Sequence, residues 1–436
     1  MIAHVYARHV PAHARIGRYV ADQGKLSWVF PFLHQIPSAD VLLTGGTARD
    51  AVIGRANHGI HVLVHGVPEP TLHSWLQAKN VAKDFDISIP SNGLTRHHTL
   101  PLNHDLARRD ITANALAYSI RDGILHDPFD GLKDIEDRKI RAIGDAKARF
   151  HENPLLLPRL LRLATELGFT VEEKTWEALK ASAHKVNQIV SNAEGKAEFA
   201  IRRSHLGKEF LRSLRGHAAD TFKHLRESGL LYELAPKMRG LETLERVSGK
   251  KMLEELETVF ALLHEEHAPV TVILAAILSF FEEGAEDMLE HLSDHLHLPM
   301  LDDLSFSYHD LSWLLAHRNV LEQADPRDLP PAEFERVFGG TRGHNLLMLL
   351  KALYRSQGRH SEGLERLYAA EARKASMEET GHPKLLRGRD LLSLGLEPGH
   401  HLRSVMQKVR DAQLSGKISS KIDALDFARH LMATGL

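Results

Sequence analysis

The stretch 41-VLLTGGTARDAVIGRANHGIHVLVHG-66 decides how the chain begins to fold. An apolar run, 41-VLLT-44, ends in Gly45-Gly46, a helical pattern follows, and a second β-rich run, 60-IHVLV-64, closes the stretch. Glycines between a strand and a helix let backbone N–H groups approach a triphosphate, and Arg49 adds a charge-assisted contact. A strand–Gly-Gly–helix junction is more often a structural turn than a phosphate site. The stretch therefore marks a candidate whose weight comes from the rest of the chain.

The 436 residues exceed what one core usually organises, so several structural units are expected. Lys+Arg number 55 against Asp+Glu 57, which excludes a wholesale polyanion binder and confines any nucleic-acid surface to local patches. The chain has no cysteine, hence no disulfide, thiolate metal site or cysteine nucleophile, and this fits a reducing compartment. The longest apolar run, 270-VTVILAAILSFF-281, is too short to span a bilayer, and residues 1–30 hold no continuous signal-peptide core. A cytoplasmic protein with no membrane partner is expected.

Short β-rich runs, with 85-FDISI-89 as a third, alternate with helical patterns up to about residue 150. From 155-LLLPRLLRLATEL-167 onward the period is helical. Breaks at 325-DPRDLPP-331 and 382-HPK-384 subdivide the remainder. The chain reads as α+β, with a head over 1–150, a neck over 151–217, a body over 218–380 and a tail over 381–436.

Four segments in register, GGTARDAVIG at 45–54, 108-RRDITANALAYSIRDGILHDPFDGLKDIEDRKIRAIGDAKARF-150, 151-HENPLLLPRLLRLATELGF-169 and 387-RGRDLLSLGLEPGHHLRSVMQKVRDAQLSGKI-418, carry a family resemblance. In order and spacing they resemble the class II tRNA nucleotidyltransferases (CCA-adding enzymes) and bacterial poly(A) polymerases. Residues 220–380 match only loosely. The resemblance implies a polymerase-β-like nucleotidyltransferase head, a mixed sheet with helices, followed by an all-helical neck, body and tail.

It also implies two carboxylates, two residues apart on a strand, that hold two Mg²⁺ ions. In register these positions are Gly59 and His61. Glycine offers no ligand, and imidazole offers nitrogen where Mg²⁺ takes hard oxygen. Asp84 and Asp86, spaced D-x-D on the next β-rich run, form an alternative pair, although their sequence distance from the glycine turn argues against it. A third catalytic carboxylate, expected between that run and Arg108, has no counterpart. Mg²⁺ is thus expected only if the site has been rebuilt, and no other cofactor is implied.

In 108-RRDITANAL-116, Arg108 and Arg109 resemble phosphate contacts, while Asp110 and Asn114 resemble residues of the sugar pocket. Two readings stay open for the last pair, because Asp110 also suits a helix cap and Asn114 a brace to the neighbouring strand. The family's base-selecting EDxxR run stands here as 152-ENPLL-156, so Asn153 replaces the Asp and Leu156 the Arg. Arg159 and Arg162, i and i+3 on one helix, remain as phosphate-contact candidates or as a solvated basic stripe.

Where some relatives carry a phosphohydrolase HD doublet, this chain has Ser279-Phe280, and none of its histidine clusters has HExxH spacing. The strongest basic faces are Arg202, Arg203, Lys208, Arg212 and Arg215 in the neck and Arg403, Lys408 and Arg410 in the tail, where the resemblance implies contact with a tRNA elbow. The sequence supports a family member with impaired or lost catalysis that binds RNA, tRNA-like RNA or a nucleotide. Two alternatives remain: an active enzyme adding CMP or AMP with relocated metal ligands, and a structural partner of another protein without RNA affinity.

Overall fold

The first apolar run forms strand β1 (Asp40–Thr44), which pairs antiparallel with β2 (Ile60–His65) in the register Val41↔Val64, Leu42↔Leu63, Leu43↔Val62. Alternation sends Val41, Leu43, Val62 and Val64 into one core with Ile16, Val20, Phe32 and Leu72, and sends Leu42 and Leu63 into another with Leu106, Ala117 and Ile143. Both faces of the two strands are covered, which is why these runs are nearly all apolar. Helices α1 (Ala12–Asp22) and α2 (Val29–Gln35) cover the first face. There Phe32 meets Trp75 edge-on, with ring centroids 5.0 Å apart.

This is a computed structural model of the chain, and it describes residues 11–56, 59–79, 85–88 (backbone), 102–192, 194–240, 243, 252–301, 306–356, 361–379 and 384–434. After β1 comes α3 (Gly45–Ile53), ended by Gly54 in the left-handed conformation. After β2, α4 (Glu69–Ala78) serves as the crossover to β3 (Phe85–Ser88), which returns parallel to β2. With β4 (Ala117–Ser119) and β5 (Leu125–His126), the sheet order is β3-β2-β1-β4-β5.

The expected boundary at 150 falls inside α5 (Ala146–Glu152), and the expected neck continues with α6 (Leu156–Leu167) and α7 (Glu173–Ser182). It is not wholly helical. A short parallel pair, β6 (Lys139–Ile140) with β7 (Thr170–Val171), ties its start to the end of the head. A hairpin of β8 (Ile189–Ser191) and β9 (Ala197–Phe199) precedes α8 (Arg203–Ser213). Strands of two and three residues carry too little alternation to be read from sequence.

The chain divides into two units, Met1–Ser213 with Asp220–Pro236, and Leu214–Ala219 with Lys237–Leu436. The expected head and most of the expected neck fall in the first unit. The second is helical among its described residues. Helix α9 (Val270–Ser279) is buried from Val270 through Leu278, as an all-apolar helix must be. No helix among the described residues is long and apolar enough to cross a membrane. The tail helices α10 (Gly388–Leu392), α11 (His400–Leu414) and α12 (Lys421–Ala433) share a core that includes Leu391, Val405, Val409, Ala424 and Leu431.

Gly66 closes β2 at φ +76°, and a Cβ there would fall 2.2 Å from the Ser38 carbonyl oxygen. Gly66→Ala is expected to destabilise the protein by about 2–3 kcal/mol through positive φ and backbone clash together. A lowered urea midpoint with an unchanged slope checks this.

Candidate functional site

The glycine turn sits in a corner built by two arginines. Gly45 has φ +64°, and a Cβ on it would lie 3.4 Å from Nη1 of Arg109, while one on Gly46 would lie 3.3 Å from Nη2 of Arg49. Arg49 is buried, and its guanidinium spans two segments: Nε and Nη2 reach Asp50 Oδ1 at 2.8 and 2.7 Å, and Nη1 donates to Asn114 Oδ1 at 2.6 Å. Asn114 donates in turn to Asp110 Oδ1 at 2.8 Å, and the same oxygen accepts the Ile111 N–H at 2.9 Å. Burial and the nearby Asp50 carboxylate hold the Tyr19 phenol above its ordinary pKa.

Asp110 caps no α-helix here. The residues after it form a 3-10 turn, Thr112–Asn114, that leads into β4. The observed Asn114 contacts are those of a brace between this turn and α3. Arg109 pairs with Asp105 at 3.0 Å, whereas the Arg108 side chain is exposed. Arg149 on α5 donates to the carbonyls of Arg108 and Arg109 at 2.9 and 3.1 Å and so fixes the turn that presents both side chains. Sequence reasoning misses Arg149, Asp105 and Asp50, since side chains that hold carbonyls or neighbouring cations leave no spacing signal.

Gly59 and His61 stand at the start of β2 beside the glycine turn. The Thr47 hydroxyl, on α3, donates to the Gly59 carbonyl at 3.2 Å and accepts the His61 N–H at 2.9 Å. Neither position fits a Mg²⁺ ligand, one having no side chain and the other an imidazole. Among the described residues no group of three or more His, Asp or Glu is placed to hold a metal ion. Asp84 lies outside the described residues. Asp86, by its backbone, is the register partner of His61 across the parallel β2–β3 pair. The α4 crossover takes up the sequence distance between this segment and the glycine turn.

In the neck, Asn153 follows α5, and its side-chain oxygen accepts the Leu155 N–H at 3.2 Å, while Leu156 is buried at the start of α6. Arg159 and Arg162 converge on one carboxylate of α8. Arg159 Nη2 lies 3.3 Å from Glu209 Oε1, and Arg162 Nε lies 2.9 Å from Glu209 Oε2, with Glu166 2.8 Å from Arg162 Nη1. Burial opposes the Arg162 charge, but Glu209 and Glu166 outweigh it and raise its pKa. This pair therefore acts first as a clasp between α6 and α8.

The basic faces are also partly structural. Arg202, Arg212 and Arg215 are exposed and Lys208 half-buried, but Arg203 is 5% exposed and bonds inward to Val186 O and Asn187 Oδ1, each at 3.0 Å. Its place on the expected RNA face is corrected accordingly. In the tail Arg403 is exposed and Lys408 half-buried, while Arg410 is tied to Glu335 at 2.9 Å. At the position compared with an HD doublet, Ser279 turns its hydroxyl onto the Ala275 carbonyl at 2.7 Å and Phe280 is buried.

Residues 82–141 match the model of the poly A polymerase head domain. The CCA-adding enzyme of Lactobacillus helveticus is 24% identical over 91% of this chain and 94% of its own length. In sequence the chain is therefore similar to CCA-adding enzymes along most of its length and to the poly A polymerase head domain within its head. The CCA-adding enzyme of Levilactobacillus brevis is 30% identical over 36% of this chain, and the matched part spans 46% of that relative's length. Among solved structures, the Thermotoga maritima CCA-adding enzyme complexed with tRNA superposes with a TM-score of 0.55 at 17% identity, over 94% of this chain and 96% of that one. The Bacillus stearothermophilus enzyme in complex with CTP gives 0.55 at 18%, over 94% and 98%. At these identities the structures establish the family fold, a nucleotidyltransferase head followed by helical parts.

Glu209→Ala would leave Arg159 and Arg162 without their shared partner beneath α8. The expected loss is about 1–3 kcal/mol, because Arg162 keeps only Glu166 and Arg159 loses its carboxylate partner. Thermal or urea unfolding measures it, and Arg212→Ala, on the exposed face of the same helix, should stay within about 0.5 kcal/mol of the parent.

Proposed function

We propose that this protein is an RNA-binding member of the tRNA nucleotidyltransferase family, acting in the cytoplasm on tRNA-like RNA, whose head retains an anion-binding corner but no longer performs ordinary two-metal nucleotide addition. The observation that carries this reading is the pair Gly59 and His61, pinned by Thr47 beside the glycine turn, where the chemistry requires two carboxylates. Replacement of the base-selecting pair by Asn153 and the buried Leu156 supports it independently, since neither presents a fixed charged edge to an incoming base. Exposed Arg202, Arg212, Arg215 and Arg403 supply the cations for an RNA backbone.

A second reading is favoured by the His61↔Asp86 register, which brings the backbone of Asp86 beside the strand that lacks its acids. One assay separates the two. With tRNA lacking its CCA end, CTP, ATP and Mg²⁺, the proposed function predicts no incorporation above background and retained RNA binding. Robust incorporation that Asp84→Ala or Asp86→Ala abolishes would establish the relocated site instead.

Binding by the exposed cations is salt-dependent. Neutralising Arg202, Arg212 and Arg215 together should weaken RNA binding and flatten the slope of log K against log salt by about 0.7–0.9 for each phosphate no longer neutralised. An unchanged slope would leave these residues as a solvated face. Calorimetry with the four nucleoside triphosphates should give weak binding with little base preference and little Mg²⁺ dependence, because backbone donors and arginines need no bridging ion. Tight binding of one nucleotide that requires Mg²⁺ would sink the reading of a vacated metal site.

A further inference from the structure

The β8–β9 hairpin brings two large apolar side chains into solvent. Ile189 and Phe199 are direct cross-strand partners, 63% and 43% exposed, and neither belongs to the cores of the head sheet. By strand alternation Ser191 and Ala197 complete their face, while Glu198 lies on the opposite one, so the face carries no charge.

Behind the ring the structure is fixed. The Arg203 guanidinium carbon lies 3.5 Å from the Phe199 ring centroid. Arg203 is held by Val186 O and Asn187 Oδ1, and Asn187 is anchored to the Glu233 carbonyl at 2.9 Å. Burial lowers the Arg203 pKa. One face of Phe199 thus rests on an immobilised planar cation, and an aliphatic neighbour stands beside the ring. Arg202, next in the chain to Arg203, is exposed.

A π-surface already locked by a guanidinium, uncharged on its solvent side and close in sequence to an exposed cation, has the chemistry that holds an unpaired base and its phosphate. Two side chains match the area of one aromatic ring and fall far short of the roughly 1,200 Å² that a stable protein interface buries. We propose that the outer face of Phe199 is a stacking platform for an unpaired nucleobase of bound RNA. This rests on the RNA-binding reading above and adds to it a contact made by a ring instead of by charge.

The test uses the full chain, fluorescence anisotropy, and two RNAs: a hairpin with a single-stranded 3′ tail and a fully paired duplex of equal length. Phe199→Ala should weaken binding of the tailed RNA roughly ten-fold and leave the duplex unchanged. Phe199→Leu keeps apolar cover over Arg203 but should bind as weakly as the alanine variant, and Phe199→Trp should restore affinity. Thermal unfolding verifies that each variant is folded. If the wild type binds the tailed RNA and both Phe199→Ala and Phe199→Leu match it, the platform is overturned while the RNA reading stands. Wild-type affinity in the leucine variant alone would assign the ring to apolar packing and overturn stacking. Loss of self-association in Phe199→Ala with unchanged RNA affinity would assign the pair to a protein interface and overturn the platform. A wild type that binds neither RNA overturns both the platform and the function on which it rests.

Discussion

The buried guanidinium of Arg49 is the constraint on which the head depends. A charge at that depth costs several kcal/mol unless every donor is met, so Asp50 must lie beside it and Asn114 must reach across from a segment sixty-five residues further on. That requirement joins α3 to the turn before β4 and sets the distance between the glycine turn and the Arg108–Arg109 pair. Arg149 extends the same logic into the neck by donating to two carbonyls of that turn. The glycine corner is therefore held by polar side chains, and within it Gly45 is required by its φ of +64°, while a Cβ on Gly46 would press lightly on Arg49 at 3.3 Å.

Much of this was legible in the sequence because it is local. The runs 41-VLLT-44 and 60-IHVLV-64 announce central strands through apolar content, and Gly45-Gly46 between them announces the turn. The family segments could be placed in register because motifs keep their spacing. What could not be read is direction and partnership. Glu209 looks like the one acid on a basic helix, yet it points inward and takes both Arg159 and Arg162. Arg203 stands in a run of cations, yet it lies beneath Phe199. The neighbourhood of His61 and Asp86 exists only once the α4 crossover has folded. Three-residue strands such as β8 and β9 carry no usable period, so the hairpin and its exposed ring were invisible.

The arginines divide by environment, and this division bears on function more than their number does. Those that donate to carboxylates, amides or carbonyls from buried or half-buried positions, such as Arg49, Arg149, Arg162 and Arg203, hold segments together and would have to break native hydrogen bonds to meet a phosphate. Those left at the surface, such as Arg202 and Arg212, can meet one at little cost. A basic run in this fold is therefore a mixture of clasps and exposed cations, and burial separates them.

The same electrostatics explain why losing two acids need not leave a crippled head. Two carboxylates side by side repel one another and demand dications to be stable as an ionised pair. With Gly59 and His61 in their place that repulsion is absent, and two of the remaining cations are paired, Arg49 with Asp50 and Arg109 with Asp105. Among the described residues the corner can present backbone donors and the exposed Arg108 to an anion. On the proposed reading, the substitutions at Gly59 and His61 both remove the demand for metal and withdraw the field that catalysis would need, so binding and chemistry are separated by one pair of positions.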